Sequence, residues 1–233
     1  MDRVRLALTY RRLTGLLARP PRAVFEAGFG SGALLRRFAD AGAEVGGADP
    51  GSLRVAVDPV VAAAGVEAVP VEDVTQGEGR YDLVYGVHVI EHVPDVWTFV
   101  SACRRLLAPG GRLALITPAG DSAGLRTYGS SWWMLEDPTH VRFFSARSLS
   151  VLLARCGLVD VEVTRPVTDS LAVDAASTAR ALRRRPAPRG VLPSLATRLG
   201  VVASLPLVLP ARALAPRARP TLLGAGRRRP EAG

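Results

Sequence analysis

Lysine is absent from this chain, and cysteine and histidine are scarce. All 30 basic residues are arginine, and the 233 residues include two cysteines and three histidines. Cys103 and Cys156 both lie in apolar helical patterns, so we expect buried, reduced thiols. So few cysteines favour neither a disulfide framework nor a zinc cluster, and we predict no metal site.

Long apolar runs are also missing. No stretch reaches the ~18 residues that cross a bilayer, and the amino terminus alternates arginine with leucine, so we expect no signal peptide. A hydrophobic content of 48% with 22% charged residues is ordinary for a globular protein. We therefore expect a cytoplasmic protein with one good core, or with one domain and a tail.

Acidic residues nearly disappear toward the end of the chain. From residue 178 onward there are twelve arginines and one acid, Glu231, so the tail carries a net charge of +11. Since the whole chain carries +9, residues 1–177 carry −2. This asymmetry indicates either a compositional bias toward arginine and alanine, or a surface for a polyanion or an anionic membrane, with the protein then peripheral to that membrane.

The most informative stretch is residues 24–49, which combines a strand, a turn, a helix and a second strand. The turn is crowded with glycine, as backbone that bends sharply or touches a ligand requires. Residues 33–41 have apolar side chains at helical spacing, and 44–48 form the next strand. Ligands of open parallel sheets bind beyond the carboxyl ends of the strands, so Glu26 and Asp49 are predicted to face one crevice.

Two classes of cofactor fit this stretch. Residues 28–33 match the dinucleotide fingerprint G-x-G-x-x-A, and Asp49 lies near the distance where an acid meets ribose hydroxyls. Residues 26–32 also read E-x-G-x-G-x-G, which resembles the first motif of the class I S-adenosylmethionine-dependent methyltransferases. The turn by itself leaves both classes open.

The remainder of the chain alternates strands with helices. An amphipathic, basic helix at residues 1–19 is predicted to cover the sheet edge or the cofactor mouth, with a membrane-surface role as the alternative. Predicted strands follow at 65–71, 81–85, 112–117 and 158–164, and predicted helices at 97–107 and 146–156. This alternation is typical of βαβ units and a parallel sheet.

Three later segments favour one cofactor. Residues 81–95 run from a buried strand into V-I-E-H-V-P-D, residues 106–113 read L-L-A-P-G-G-R-L, and residues 137–145 read D-P-T-H-V-R-F-F-S before a helix. In this order they resemble a small-molecule subgroup of the class I S-adenosylmethionine-dependent methyltransferases. The resemblance covers about residues 22–165 and separates the chain from the dehydrogenases.

The resemblance implies a fold and a domain organisation. The fold is α/β, a Rossmann-like doubly wound sheet, mostly parallel with an antiparallel edge strand and with helices on both faces. The resemblance implies a methyltransferase domain (22–165) with a substrate-side insert (118–144). The residue pattern adds an amphipathic helix (1–21) before it and a basic, proline-rich region (166–233) after it, in which 221–226 is predicted to return a last strand.

The resemblance also implies S-adenosyl-L-methionine as the cofactor. Glu26 would accept from the ammonium group, or alternatively serve as a helix N-terminus partner, and Asp49 would accept both ribose hydroxyls. Asp73 is the candidate for the adenine amine. The predicted cofactor-binding residues are Glu26, Ala27, Gly28, Gly30, Gly32, Asp49, Pro50, Asp73, Gly86 and Val87.

Two histidines are candidates for catalysis, because an oxygen nucleophile can need a base. His92 follows the strand beside the cofactor, where a packing or helix-capping role is the alternative. His140 lies in a loop predicted to cap the pocket, near Trp132, Trp133 and Phe143, whereas His88 is interpreted as structural.

We therefore predict an enzyme that O-methylates a small molecule or a saccharide-linked metabolite. One alternative is a nucleic-acid or N-methyltransferase that uses the basic tail, although residues 117–120 (T-P-A-G) do not match the asparagine-proline-proline-tyrosine type of motif. The other is a non-catalytic binding protein, which the intact Glu26, glycines and Asp49 disfavour.

Overall fold

The computed structural model describes residues 3–51, 55–183 and 213–230, with single positions at 199, 202, 206 and 210. Most of the basic stretch between 184 and 212 therefore lies outside the described residues. The strands are β1 (Ala23–Ala27), β2 (Glu44–Ala48), β3 (Tyr81–Val87), β4 (Leu107–Pro118), β5 (Leu158–Thr164) and β6 (Thr221–Arg228). The α-helices are α1 (Arg3–Thr14), α2 (Ala33–Asp40), α3 (Pro59–Ala63), α4 (Val96–Leu106), α5 (Gly124–Tyr128), α6 (Ala146–Arg155) and α7 (Thr168–Arg183).

The strands form one six-stranded sheet in the order β2-β1-β3-β4-β6-β5. β1 pairs in parallel with β2 and β3, and β3 pairs in parallel with β4. At one end of β6, Ala119 N donates to Pro220 O at 2.7 Å. At the other end, Arg228 Nη1 donates to Leu107 O at 2.6 Å, so β6 runs antiparallel to β4. The prediction of a mostly parallel, Rossmann-like sheet is confirmed, and its antiparallel strand, β6, lies next to the edge strand β5.

The chain divides into two compact units. The first contains Met1–Ile116, Ser150–Glu162 and Gly224–Gly233, and the second contains Thr117–Leu149 and Val163–Leu223. The first unit holds the glycine turn, Asp49 and nearly all of the sheet. The second unit holds the aromatic insert together with α7.

In the first unit an aromatic stack joins α1 to the sheet. The apolar face of α2 is buried, as its helical spacing predicts, and Phe38 on that face has no exposed surface. The Phe38 ring lies 4.8 Å from that of Tyr10 on α1 and 5.5 Å from that of Tyr85 on β3, centroid to centroid. Leu13 of α1 is also fully buried. This packing holds α1 along the helix that follows the glycine turn.

In the second unit the insert packs against a helix that the sequence did not predict. Trp132, Met134 and Val173 form a buried cluster, so residues from α7 and from the insert share one small core. Trp133 N donates to Ser177 Oγ at 2.9 Å, which adds a polar contact to the same helix. The start of the region predicted as basic and proline-rich is therefore helical.

Two other segments differ from the predictions. The expected strand at 65–71 makes only a single parallel bridge, between Ala48 and Glu67, because the chain then reaches Pro70, which has no N–H, and enters a 3-10 helix at Val71–Asp73. The first helix ends at Thr14 instead of near residue 19. Among the described residues, no helix is long and apolar enough to cross a membrane.

Candidate functional site

The turn between β1 and α2 is made of three glycines in the left-handed region. Gly28, Gly30 and Gly32 have φ of 74°, 54° and 76°, values that residues with a Cβ adopt only at a cost. The N–H groups of Gly28 and Gly32 donate to backbone carbonyls, each at 2.8 Å. That of Gly30 donates to Asp49 at 2.6 Å. What the turn offers a ligand is therefore bare backbone at Gly30, where an added Cβ would meet nothing within 4 Å.

Two glycines leave room for Val89. A Cβ at Gly28 would lie 2.8 Å from Val89 Cγ2, and a Cβ at Gly86 would lie 2.5 Å from Val89 Cγ1. Gly28 follows β1 and Gly86 lies near the end of β3, so both let this valine close over the carboxyl ends of the central strands. Gly86 thus contributes to the site through Val89, while Val87 is half-buried at the last position of β3.

The Asp49 carboxylate ties two turns together directly after β2. Its Oδ2 accepts from Gly30 N at 2.6 Å, and its Oδ1 accepts from Gly51 N at 2.7 Å. A carboxylate has about four lone-pair sites, so both oxygens keep capacity for further donors. Asp49 can therefore hold the glycine turn and accept hydroxyl groups at the same time.

Glu26 is buried at the end of β1, where it contacts protein groups on two sides. Tyr85 Oη donates to Glu26 Oε2 at 2.9 Å, and the backbone of Leu35 in the first turn of α2 also bonds the carboxylate. Burial raises the pKa of Glu26 well above its ordinary value, with a smaller contribution from the nearby negative Asp49, while these hydrogen bonds oppose the rise. The contact with α2 agrees with the alternative of a helix N-terminus partner.

A cavity of about 390 Å³ opens at the carboxyl ends of β1, β2 and β3. We call it the cofactor crevice. Four of the predicted cofactor-binding residues line it, and they are Ala27, Gly28, Asp49 and Pro50. Its apolar lining includes Val71, Val89 and Phe99, and its acidic lining includes Glu72. Apolar walls for a flat base, with carboxylates for hydroxyl and amine donors, fit a nucleoside cofactor in both size and chemistry.

The acid expected at the adenine amine falls in the 3-10 helix Val71–Asp73. Glu72 lines the cofactor crevice, whereas Asp73 is exposed. The two acids are adjacent and share this single turn. Glu72 was not singled out from the sequence, because the spacing of acids in a polar loop does not indicate which one turns inward.

His88 lines the cofactor crevice, although the sequence suggested only a structural role. Its ring contacts two charged side chains: Nδ1 lies 3.0 Å from Glu91 Oε1, and Nε2 lies 2.9 Å from Arg5 Nη2. Glu91 has no exposed surface. The position of His88 in the sequence indicates a ligand site, since it directly follows β3 and a parallel sheet presents residues to ligands at the carboxyl ends of its strands.

His92 also lines the cofactor crevice, four residues further along the same loop. The backbone N–H of His92 donates to Val89 O at 3.0 Å and closes a turn. The backbone of His92 therefore supports the turn, while the residue contributes to the wall of the crevice, so both roles considered from the sequence are compatible with its position.

His140 lies in the second unit with its ring oriented by a carbonyl. Nδ1 lies 2.6 Å from Met134 O. Because a carbonyl only accepts, Nδ1 carries the proton, and in the neutral ring Nε2 is the unprotonated nitrogen. Phe143 packs edge-on to the imidazole at 5.7 Å and lies 5.3 Å from Trp132, between ring centroids. His140 thus has a fixed tautomer beside aromatic side chains.

Comparison with known proteins identifies the family. A family model described as a methyltransferase domain matches residues 2–163. The ubiquinone biosynthesis O-methyltransferase of Cereibacter sphaeroides is 32% identical over 168 residues, which are 65% of this chain and 68% of that protein. The one from Mesorhizobium japonicum is 31% identical over 127 residues, 49% of this chain and 51% of that protein. The chain spans about half the length of the curated relatives that it matches.

The fold is similar to that of solved methyltransferases. A phosphoethanolamine N-methyltransferase 2 from Haemonchus contortus, in complex with S-adenosyl-L-methionine, matches with a TM-score of 0.63 at 16% identity. The match covers 98% of this chain and 53% of that protein. The chain therefore belongs to the methyltransferase-domain family, in the class I fold whose cofactor is S-adenosylmethionine.

Proposed function

We propose that this protein transfers a methyl group from S-adenosylmethionine to a hydroxyl group of a small molecule. The observation that carries the proposal is the cofactor crevice, in which Asp49 and the glycine turn stand at the carboxyl ends of β1 and β2. The O-methyltransferase relatives support oxygen as the acceptor atom.

Residues in and beside the cofactor crevice would each bind a different part of the cofactor. Asp49 would accept the ribose hydroxyls, Glu72 or its neighbour Asp73 would accept from the adenine amine, and Phe99 would lie against the base. Glu26 would accept from the ammonium group, directly or through water. When bound, the cofactor supplies an activated methyl group, so the chain contributes mainly the positioning of the acceptor.

We propose His140 as the general base. Its Nδ1–H donates to Met134 O, so in the neutral ring Nε2 is the basic nitrogen and would be the atom that accepts a hydroxyl proton. Phe143 and Trp132 give this histidine apolar neighbours, and aromatic faces suit either a phenol or a sugar ring. His92, in the wall of the cofactor crevice, is the second candidate.

Calorimetry tests the cofactor. Wild-type protein should bind S-adenosylmethionine and S-adenosylhomocysteine, and it should not bind NAD. Asp49→Ala should weaken binding by ~1.5–3 kcal/mol, the size of hydrogen bonds to a charged acceptor. Asp40→Ala, which removes a carboxylate paired with Arg36 on the surface of α2, is the matched control. Equal affinity in the Asp49 variant and in this control would remove Asp49 from the cofactor site.

Labelled methyl donor and a panel of phenolic and sugar acceptors test the reaction. On the acceptor found, His140→Ala should lower turnover by ~10²–10⁴, the usual range for a general base, with cofactor affinity unchanged. His92→Ala should cost less in rate and more in stability. Full turnover in His140→Ala would leave His92, or positioning alone, as the mechanism.

The arginine-rich tail is a separate proposal. We propose that its arginines outside the described residues contact an anionic membrane surface or a polyanion. Several described arginines are engaged within the fold, and these are Arg180, Arg219, Arg227 and Arg228. A fair test therefore changes Arg184, Arg185 and Arg189 to Gln in the full chain. Association with anionic vesicles or nucleic acid at low salt should fall, and salt-insensitive association in the wild type would leave compositional bias as the explanation.

A further inference from the structure

His88 has a backbone conformation that few non-glycine residues adopt. Its φ is +54°, in the left-handed region, where a side chain costs about 1–2 kcal/mol. The backbone N–H of His88 donates to Ile116 O at 2.8 Å, so the strained residue is hydrogen-bonded to β4. Strain of this kind persists only where the surroundings over-determine it, and it clusters at ligand sites.

The contacts of the His88 ring determine its tautomer. A guanidinium has donors only, so Arg5 Nη2 donates to His88 Nε2 at 2.9 Å, and Nε2 is the acceptor nitrogen. The proton of the neutral ring is then on Nδ1, which donates to the buried Glu91 carboxylate at 3.0 Å. Arg5, His88 and Glu91 form a continuous chain of hydrogen bonds from α1 to the loop after β3.

Arg5 comes from a helix that is anchored elsewhere. α1 packs on α2 through the Tyr10–Phe38 ring contact, its Leu13 is buried, and Arg5 lies nearer its amino end. Between its anchor on α2 and the Arg5–His88 contact, α1 connects the helix after the glycine turn with a residue of the cofactor crevice.

We infer that Arg5 is a positioning residue for the cofactor, acting through His88. By donating to Nε2, Arg5 holds the imidazole as the Nδ1–H tautomer and fixes the start of the loop that also supplies Val89, His92 and Val93 to the cofactor crevice. The inference rests on the proposed function, and it makes α1 part of the cofactor site.

The ring nitrogens of His88 test the contact without any turnover. In ¹⁵N NMR at about pH 8, where an ordinary imidazole is neutral, wild-type His88 should have the shifts of the Nδ1–H tautomer. The chain has only three histidines, so single substitutions assign the signals. Arg5→Met keeps the aliphatic stem and removes the donor, and it should shift the Nε2 signal. Arg5→Lys keeps a donor and should retain the wild-type pattern. Arg11→Met, at an exposed position of the same helix, should change nothing.

A double-mutant cycle tests whether this contact serves the cofactor. His88→Asn removes the ring, while asparagine tolerates a positive φ. Arg5→Met and His88→Asn should each weaken S-adenosylhomocysteine binding about tenfold in calorimetry, the size of one charge-assisted hydrogen bond. The double variant should lose little more than either single variant, because both remove the same contact. Arg11→Met should bind as wild type does, and Arg5→Lys should recover part of the lost affinity.

Three outcomes would overturn the inference. They are an unchanged affinity in Arg5→Met, additive losses in the double variant, and a wild-type His88 signal of the Nε2–H tautomer. If Arg5→Met lowered the melting temperature of the ligand-free protein while leaving affinity intact, Arg5 would be only a structural residue. A wild-type protein that binds neither cofactor form would overturn the proposed function together with this inference, whereas intact wild-type binding with an insensitive Arg5 would overturn this inference alone.

Discussion

Adding one methyl group at Gly28 should damage both the fold and the cofactor crevice. Gly28 has φ of 74°, and a Cβ there would lie 2.8 Å from Val89 Cγ2 and 3.0 Å from Val89 Cβ. Valine is stiff at χ1, and its own Cβ is part of the clash, so rotation alone cannot relieve the contact. Gly28→Ala must therefore shift the backbone of the glycine turn or of the loop that carries Val89.

The expected cost of Gly28→Ala has two parts. The left-handed conformation costs about 1–2 kcal/mol for a residue with a Cβ, and the lower entropy of the unfolded alanine chain returns about 0.4–1 kcal/mol. Overpacking against Val89 adds about 1–3 kcal/mol. We expect the variant to be less stable by about 1–5 kcal/mol in total.

Two other glycines are matched controls, because each has a positive φ and nothing within 4 Å of the added Cβ. Gly42→Ala, after α2, should show only the strain, about 1 kcal/mol. Gly30→Ala should cost a similar amount in stability. However, its Cβ would stand on the turn where we propose that the cofactor binds, so S-adenosylhomocysteine binding should weaken at least tenfold, a change of about 1.4 kcal/mol.

Urea unfolding measures the stability of the three variants, and calorimetry measures their affinity for S-adenosylhomocysteine. Gly28→Ala should unfold at the lowest urea concentration and bind weakly, Gly30→Ala should bind weakly with modest destabilisation, and Gly42→Ala should bind normally. If Gly28→Ala were no less stable than Gly42→Ala, the claim that the contact with Val89 excludes a side chain at Gly28 would be refuted.

Three further predictions concern other parts of the molecule. Burial raises the pKa of Glu26 above its unfolded value, so the folded state keeps a proton that the unfolded state loses, and stability falls as pH rises from the ordinary carboxyl range through the folded pKa. Glu26→Gln should flatten this part of the curve of urea midpoint against pH; an unchanged slope would contradict it. Ending the chain at residue 212 removes β6 from within the sheet, and loss of cooperative unfolding by circular dichroism is expected; a cooperative truncated protein would contradict it. Gly124→Ala would place a Cβ 2.2 Å from Trp132 Nε1, so it should destabilise the second unit in hydrogen exchange while S-adenosylhomocysteine binding to the first unit persists.

Several elements were predictable because the forces that form them are local. The glycine turn, the helix with Leu34, Leu35 and Phe38 on one face, and a strand at 44–48 follow from turn chemistry and from spacing of 3.6 or 2 residues. Asp49 then falls at the end of a strand by position alone. The bounds of β5 were predicted because alternating residues between Gly157 and Pro166 leave little choice.

Other features depend on residues that are far apart in sequence, which no local pattern encodes. Arg5 meets His88 across 83 residues, and Arg228 caps the start of β4 across 121. Glu72 was not distinguished from Asp73, because only the register of a single turn decides which acid faces inward. The amino-acid sequence by itself determined the glycine turn, the apolar face of α2, the strands β2 and β5 and the acid after β2, since these arise from neighbours along the chain. Only the tertiary structure decided which distant side chains meet at the cofactor crevice, because that depends on how the sheet and α1 pack.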